Sequence, residues 1–459
     1  MTVYRFDHVR GVDGWLSPGF MTVDDDGAIT RISATAPARA VESIGGIAVP
    51  GLANLHSHAF QRAMAGLSEF RTDAAQDSFW TWRDLMYRFV DKLTPDDLEA
   101  IAAQLYVEML KSGYTAVGEF QYLHHDRDGT PFGDPAEMTL RTLAAARKTG
   151  IGATFLPVLY QSSGFGGQPP GEGQRRFIND TNGFLHIYET VAAETAAHPD
   201  LHTGVAPHSL RAAGEEAIGA VVDAIDPAAP IHIHIAEQEK EVADCQAWSG
   251  MRPVELLYDR LPVDGRWCLI HATHMTESES RTAAASGAIA GLCPTTEANL
   301  GDGLFDLPVW LAADGALGIG SDSHISISPV EELRWLEYGQ RLRDRGRNIA
   351  GDAGVSTGSR LFDLAVSGGT QALGRAGPNG ECGLSAGARA DIVVLDADAP
   401  IFAGQSSDTL LESWIFSGNV PVVKDVFVGG NRVVADGHHP AEEDIAARYR
   451  KVLSMLLDT

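Results

Sequence analysis

The sequence predicts a (β/α)₈ barrel of the TIM type, an α/β fold. Three observations predict it. Eight apolar, strand-like runs alternate with helical stretches over roughly 330 residues. Most runs end in a polar side chain, and the first is followed by His-Ser-His rather than by the glycine-rich turn of an open doubly wound sheet. The runs lie near 47–56, 115–120, 152–160, 202–208, 230–235, 266–271, 287–293 and 315–322.

Polar residues at the ends of these runs indicate where a site would form. In such barrels the carboxyl ends of the strands meet at one face, which holds the active site. We therefore expect the side chains at these ends to lie close together. Those that end in His, Asp or Glu are His56, Glu119, His208, His234, His271 and Asp322.

One helix has signals at both ends. Thr94 is a predicted N-cap, Pro95 occupies the first helical position, and apolar residues recur with helical spacing as far as Lys111. Gly113 then provides a stop. The sequence predicts that this helix follows the first barrel strand.

The two chain ends differ from the middle, because both contain short alternating runs without helical period, such as Ile29–Ile32 and Ala390–Asp396. We expect residues 1–50 and 384–459 to form one small β-sandwich domain with a terminal helix, flanking a barrel of residues 51–383. The Gly-rich segment 161–177 is a candidate mobile lid. Residues 67–93 form a second insertion, with an aromatic run at 79–82.

Composition excludes several classes of protein. The chain has 459 residues, and its formal net charge of −26 argues against a nucleic-acid partner. No apolar run reaches the ~18 residues of a membrane span, and the first residues show no export signal. Four scattered cysteines without a Cys-x-x-Cys motif indicate reduced thiols, so we expect a cytoplasmic protein.

The first and fifth runs each carry a His-x-His. Side chains two apart on a strand face the same way, so His56 and His58 can reach one point. His232 and His234 repeat the spacing. His234 lies nearer the carboxyl end and is the better metal ligand, whereas His232 would support it from one layer below.

Glu237 follows His234 by three residues, at the mouth of the predicted barrel. A carboxylate there could move the proton of a metal-activated water. His271 and Asp322 end the sixth and eighth runs. Each could by itself be a turn residue, but the four strand ends together indicate a metal-dependent hydrolase.

These motifs resemble those of the amidohydrolase superfamily, in its deaminase branch. The resemblance rests on Leu55–His58, His234–Glu237, His271–His274 and Gly320–Ser323, and extends to the terminal β-domain. It implies that the metal ligands are His56, His58, His234 and Asp322. Glu237 would transfer the proton, and His271 would polarise the electrophile and steady the water.

One subgroup of that superfamily bridges two metals with a carboxylated lysine on the fourth strand. This chain has no lysine between Lys148 and Lys240. We therefore expect one divalent metal per chain, zinc first and Fe²⁺ as the alternative.

The loops resemble those of one deiminase group within the superfamily. That resemblance implies a small dicarboxylate amidine as substrate, and a homodimer. The implied substrate contacts are Gln61, Arg83, Tyr122, His208, Arg211 and His271. Arginine suits a carboxylate because its planar fork donates two parallel hydrogen bonds.

Two other functions stay open at this point. A deaminase of a nucleobase or other aromatic amine would need apolar walls and amide groups rather than arginines. A metal-free scaffold would have no use for the ligand set together with Glu237 and His271.

Overall fold

The computed structural model describes residues 1–71 and 77–457. Seven strands precede the barrel: β1 (Thr2–Phe6), β2 (His8–Gly11), β3 (Gly14–Leu16), β4 (Gly19–Val23), β5 (Ile29–Ser33), β6 (Glu42–Ser43) and β7 (Ile47–Pro50). The barrel strands are β8 (Leu52–Ser57), β9 (Tyr114–Gln121), β10 (Gly152–Leu159), β11 (Leu201–Thr203), β12 (Ala206–Pro207), β13 (Ile231–Ile235), β14 (Trp267–His271), β15 (Ile289–Leu292) and β16 (Leu317–Ile319).

The barrel strands pair in parallel, in the order β11-β10-β9-β8-β16-β15-β14-β13. The fourth strand of the barrel is broken into two segments, β11 and β12, both of which pair with β10. A β-bridge between Val205 and Ile231 joins this fourth strand to the fifth, β13. The predicted eight-stranded barrel is thereby confirmed.

The predicted first strand, 47–56, is wrong as a single element. Ile47–Pro50 belongs to another sheet, and the barrel strand begins at Leu52. Gly51 separates them at a point where a Cβ atom would lie 2.2 Å from the side chain of Thr115. Two apolar runs joined by one glycine look continuous in sequence.

Helices surround the barrel: α1 (Phe79–Val90), α2 (Pro95–Ser112), α3 (Glu137–Thr149), α4 (Thr181–Thr195), α5 (Glu215–Ala224), α6 (Glu239–Ser249), α7 (Pro253–Arg260), α8 (Glu277–Ala285), α9 (Pro294–Leu300), α10 (Leu307–Ala312), α11 (Pro329–Asp344) and α12 (Thr357–Ala372). Two more follow in the C-terminal part, α13 (Leu410–Phe416) and α14 (Glu442–Leu457). Short 3₁₀ helices span Ala59–Met64, Glu172–Gln174, Pro400–Phe402 and Ser407–Thr409. Within the described residues, none of the helices has the length and apolarity that crossing a bilayer requires.

Helix α2 matches its sequence signals. The Thr94 hydroxyl accepts a hydrogen bond from the Asp97 amide at 3.2 Å, and the Asp97 carboxylate accepts one from the Thr94 amide at 3.0 Å. Gly113 ends the helix with φ of 109°, a value that favours glycine. The helix is confirmed at both ends.

Both chain ends build the small β-domain. Its strands from the C-terminal part are β17 (Ile392–Leu395), β18 (Val423–Val428) and β19 (Asn431–Val434). β17 pairs antiparallel with β7 in a sheet of order β19-β18-β17-β7-β2-β3, and a second sheet has the order β5-β4-β1-β6. This confirms the predicted shared β-domain.

The C-terminal helices pack on the barrel. Helix α14 lies along α2, with ion pairs Lys111–Glu442 and Arg448–Glu99, both at 2.6 Å. Helix α13 packs against α11 and α12. The division at residues 50/51 and 383/384 stays a prediction.

The 161–177 segment contains one 3₁₀ turn and ends in two fully buried side chains, Arg176 and Phe177. Its mobility stays a prediction. In the 67–93 insertion, residues 72–76 lie outside the described residues, and α1 follows them.

Candidate metal centre and substrate pocket

Four predicted ligand side chains meet at the carboxyl ends of three strands. His56 lies on β8 and His58 directly follows that strand, His234 lies on β13, and Asp322 follows β16. The Asp322 Oδ1 atom lies 3.5 Å from His56 Nε2 and 3.4 Å from His58 Nε2. The Nε2 atoms of His56 and His234 are 3.0 Å apart. All four side chains are buried.

Hydrogen bonds fix two of the imidazoles with Nε2 towards this point. His58 Nδ1 donates to the Phe120 carbonyl at 2.9 Å, and His234 Nδ1 donates to the His208 carbonyl at 3.1 Å. Burial lowers the pKa of all three histidines, that of His56 to about 3, so they are neutral. Unprotonated nitrogens that converge beside a carboxylate form a donor set that fits a divalent cation.

The backbone at these strand ends is strained. Ala236 (φ 50°), His271 (φ 67°) and Asp322 (φ 45°) adopt the left-handed conformation, which non-glycine residues rarely take. Such strain is typical of functional sites, where the surrounding fold holds side chains in orientations that regular strands do not offer.

His271 lies between carboxylates. Its Nδ1 donates to Glu297 Oε1 at 3.3 Å, and its Nε2 lies 3.9 Å from Glu237 Oε1 and 3.8 Å from Asp322 Oδ2. Burial by itself would lower the pKa of His271, but Glu237, Glu297 and Asp322 outweigh it and raise that pKa to about 10. The three carboxylates therefore favour the protonated, cationic form of the imidazole.

Two other strand residues do not join the cluster. Glu119 accepts hydrogen bonds from the Ser57 hydroxyl at 2.7 Å and from the Ala59 amide at 2.8 Å, and so braces the turn after β8. His232 donates to the Ala372 carbonyl at 2.7 Å, in the layer below, as expected of a supporting residue.

A pocket of about 550 Å³, its open mouth included, lies above the cluster. Every residue that we expected to contact substrate lines it, as does Glu237. Its polar and charged lining includes Gln61, Arg83, Tyr122, His208, Arg211, Glu237 and His271, and its apolar and aromatic lining includes Phe79, Trp82, Met86, Tyr87, Tyr160, Phe177 and Leu300.

The two arginines of the pocket make no hydrogen bond through their guanidinium groups within the described chain, and their buried Nε atoms have no partner. Aromatic rings contact them instead. Arg83 lies 4.6 Å from the Trp80 ring centroid and 5.5 Å from that of Tyr87, and Arg211 lies 6.0 Å from that of Trp80. Two guanidinium cations that form no ion pair with a carboxylate among the described residues are suited to bind an anion.

The other polar contacts in the pocket are sparse. Gln61 Nε2 donates to the Tyr122 hydroxyl at 3.0 Å, which leaves the buried Oε1 atom of Gln61 without a partner among the described residues. His208 Nδ1 lies 3.1 Å from the Ser209 hydroxyl.

Sequence reasoning missed several functional positions. Glu297 orients His271, and Glu241 accepts hydrogen bonds from the amides of Ala236 and Glu237 at 3.3 and 3.0 Å. Both follow a strand end by a few residues, where an acid looks like an ordinary helix start. Phe177 reaches the pocket from an insertion, and no local pattern marks it.

These features define a metal-dependent barrel hydrolase. Comparison of the chain with known proteins leads to the same class. The model of the amidohydrolase family matches residues 47–433, and the chain belongs to that family. It is 53% identical over 449 residues to a formimidoylglutamate deiminase of Pseudomonas aeruginosa, an alignment that covers 97% of both chains.

More distant relatives have other names. The chain is 28% identical over 417 residues to a 5-methylthioadenosine/S-adenosylhomocysteine deaminase of Natronomonas pharaonis, covering 90% of this chain and 87% of that one. A crystal structure of an amidohydrolase from Brucella melitensis superposes with a TM-score of 0.93 at 47% identity, over 100% of both chains. An adenosine deaminase from Xanthomonas campestris with bound zinc superposes at 0.82 and 20% identity, covering 100% of this chain and 99% of that one, which shows the fold alone.

Proposed function

We propose that this chain hydrolyses N-formimidoyl-L-glutamate to N-formyl-L-glutamate and ammonia, a reaction of histidine degradation. The observation that carries the proposal is the pair of unpartnered guanidinium groups, Arg83 and Arg211, in one pocket with Glu237 and the His/Asp cluster. A substrate with two carboxylates and an amidine carbon matches this arrangement. The 53% identity to a formimidoylglutamate deiminase over nearly the whole chain supports it.

In this proposal His56, His58, His234 and Asp322 hold one divalent ion. Three imidazole nitrogens with one carboxylate suit zinc, and Fe²⁺ is the alternative. When bound, the ion supplies Lewis acidity and makes water a stronger nucleophile at neutral pH.

Glu237 moves the proton. Burial raises the pKa of its carboxyl group, which makes Glu237 a better proton acceptor near neutral pH. The water oxygen bonds to the amidine carbon while Glu237 transfers one water proton to the terminal nitrogen, which leaves a tetrahedral carbon bearing OH and NH₂. Glu237 then transfers the remaining proton of that oxygen to the same nitrogen, the bond between carbon and terminal nitrogen breaks, and the C=O bond forms. Ammonia leaves and the formyl group remains.

His271 holds a proton at Nε2 while Glu297 accepts from its Nδ1. The imidazolium lies within 4 Å of carboxylate oxygens of both Glu237 and Asp322. From there it steadies the attacking oxygen by hydrogen bonding and favours addition to the carbon.

Arg211 and Arg83 bind the two carboxylates. Arg211 follows β12 and Arg83 lies on α1, so the cations approach the pocket from different elements. Gln61, Tyr122 and His208 contact the polar part of the substrate between them.

Ammonia release from N-formimidoyl-L-glutamate tests the proposal directly. We expect rapid release with this substrate and little with adenine- or other aromatic-amine compounds. An enzyme that deaminates the aromatic amines and leaves formimidoylglutamate intact would contradict the assignment.

We also propose a cytoplasmic homodimer. The four cysteines are all free, and three of them are buried, which suits a reducing compartment. Light scattering of the purified protein would measure the mass, and a monomer at micromolar concentration would contradict the dimer.

A further inference from the structure

Helix α1 holds Arg83 over the pocket, and a buried arginine from the 161–177 segment contacts its C-terminal end. Arg176 is 0% exposed. Its Nε donates to the His125 carbonyl at 2.9 Å, and its Nη1 donates to the carbonyl of Val90, the last residue of α1. Within the described chain, its guanidinium makes no hydrogen bond to a carboxylate.

A charge in this position is costly. Burial lowers the pKa of Arg176 to about 10, so the group still carries its charge at neutral pH. A buried cation destabilises a fold unless hydrogen bonds and opposite charge offset its loss of hydration. The last carbonyls of a helix supply both acceptors and partial negative charge. Arg176 is therefore a specific link to the end of α1.

The same segment also binds the residues after β9. The Arg176 carbonyl accepts hydrogen bonds from the amides of His124 and His125, both at 3.0 Å. The neighbouring Arg175 pairs at 2.9 Å with Asp91, the C-cap of α1. Residues 175–177 thus join α1 to a barrel strand whose end carries Tyr122.

The position of the Arg83 guanidinium depends on where helix α1 as a whole lies. The aromatic rings that lie closest to its guanidinium in the described chain are those of Trp80 and Tyr87, which lie on the same helix. Within the described residues, the Arg83 guanidinium makes no hydrogen bond or ion pair with the barrel, so a displacement of α1 would carry Arg83 with it. Phe89 and Val90 pack in the same apolar cluster as Phe177, but apolar contact sets distance better than orientation.

We propose that Arg176 is a positioning residue for substrate recognition, which fixes the end of α1 so that Arg83 reaches a substrate carboxylate. The choice of substrate rests on the proposed function. The link itself rests on the hydrogen bonds that Arg176 makes. The 161–177 segment then acts as an anchor for α1 at its C-terminal end.

A double-mutant cycle tests this link. Arg176→Met should raise KM for formimidoylglutamate by at least about fivefold with kcat changed by less than about twofold. Arg83→Met should raise KM by about tenfold or more. In the Arg83→Met background, Arg176→Met should add less than about twofold, because the two residues act through one interaction. Additive effects would overturn the proposal.

A second variant covers the case in which Arg176→Met fails to fold. Arg176→Lys keeps the cation but has no planar fork to reach two carbonyls of different elements. In the same cycle it should raise KM by about threefold or more. A KM equal to that of the parent in the folded Lys variant would overturn the proposal.

Arg334 offers a matched control. It also donates to carbonyls near a helix end, to Ile415 at 2.6 Å and to Gly418 at 2.8 Å, and it does not line the pocket. Arg334→Met should lower the free energy of unfolding and leave KM unchanged. An equal rise in KM would mean that general destabilisation explains the Arg176 effect, and the proposal would fall.

Hydrogen exchange measures the link without substrate. In Arg176→Met, the amides of residues 79–90 should exchange faster, while those of α12 keep the parent rate. Unchanged protection of α1 would overturn the proposal. An inactive parent enzyme with faster exchange in the variant would instead contradict the proposed function alone.

Discussion

Glu237 and Arg211 lie in one pocket, where burial acts on them in opposite directions. Burial raises the pKa of the Glu237 carboxyl group and so makes its carboxylate a stronger base. Burial would lower the pKa of Arg211, but the carboxylates of Glu241 and Glu237 raise it, so the guanidinium stays charged. One residue is thus prepared to accept a proton and the other to bind an anion.

Glu237→Gln keeps the size of the side chain and removes its capacity to carry a proton. General acid–base steps contribute typically about 10²- to 10⁴-fold, so we expect kcat to fall by at least about two orders of magnitude. Metal content, measured by elemental analysis, should equal that of the parent. A Gln variant that retains more than about a tenth of parental kcat would assign proton transfer to another group.

Arg211→Met keeps the aliphatic stem and removes the fork. Hydrogen bonds to charged groups are worth about 1.5–3 kcal/mol each, so kcat/KM should fall by about two orders of magnitude or more. Much of the loss should appear in KM, because a carboxylate remote from the reacting carbon is bound alike in ground and transition states. Arg211→Lys should recover part of it.

An analogue with one carboxylate replaced by an amide is the control for Arg211. The parent should process the analogue poorly if Arg211 binds that carboxylate, and Arg211→Met should lose little more. Equal processing of the diacid by parent and Met variant would remove Arg211 from the binding site.

At the scale of elements, the helices packed behind short strands set the geometry. The ligand-bearing strands β8, β13 and β16 are short, and the helices behind them must be held firmly if the strand ends are to stay in register. Helix α2 shows how the sequence achieves this, through its capping box at Thr94 and Asp97 and its glycine at 113.

Thr94→Ala removes the N-cap of α2, and loss of such a cap typically costs about 1 kcal/mol. We expect denaturant titration to show a loss of that size with KM unchanged, since α2 does not line the pocket. Thr30→Ala, at an exposed strand position, is the matched control and should stay within about 0.5 kcal/mol of the parent. A loss at Thr94 no larger than at Thr30 would mean that the cap contributes little.

At the scale of the molecule, the proposed ion would join strands from different sides of the barrel. His56 and His58 lie at the end of the first barrel strand (β8), His234 at the end of the fifth (β13) and Asp322 after the eighth (β16). A ligand that binds only the folded chain stabilises it by mass action. Metal binding should therefore support both activity and stability.

Chelation should abolish activity and lower Tm, and added zinc should restore both. Elemental analysis should find about one metal per active chain, because the chain has no lysine to bridge two ions in the fourth-strand region. His56→Ala and Asp322→Ala should each lose metal and turnover together. A content near two per chain, or lost turnover with normal metal content, would contradict the ligand assignment.

The sequence by itself determined the barrel, the shared β-domain and the convergence of His56, His58, His234 and Asp322. The barrel and the β-domain follow from the pattern of apolar runs along the chain. The convergence follows from two rules: side chains two apart share a strand face, and parallel strands end at one face of a barrel. Arg211 was expected just past the fourth strand and Arg83 in an insertion, and the resemblance of the loops implied that both contact the substrate. Such rules act within a few residues, so they can be read from one chain.

Only the tertiary structure decided which neighbours those residues have. Gly51 splits one apolar run into two sheets, Glu119 turns away from the cluster to brace the chain after β8, and Glu297 holds His271. The bond from Arg176 to the end of α1 joins residues 86 positions apart. Contacts of that separation arise when elements pack, and no periodicity or spacing in the sequence encodes them.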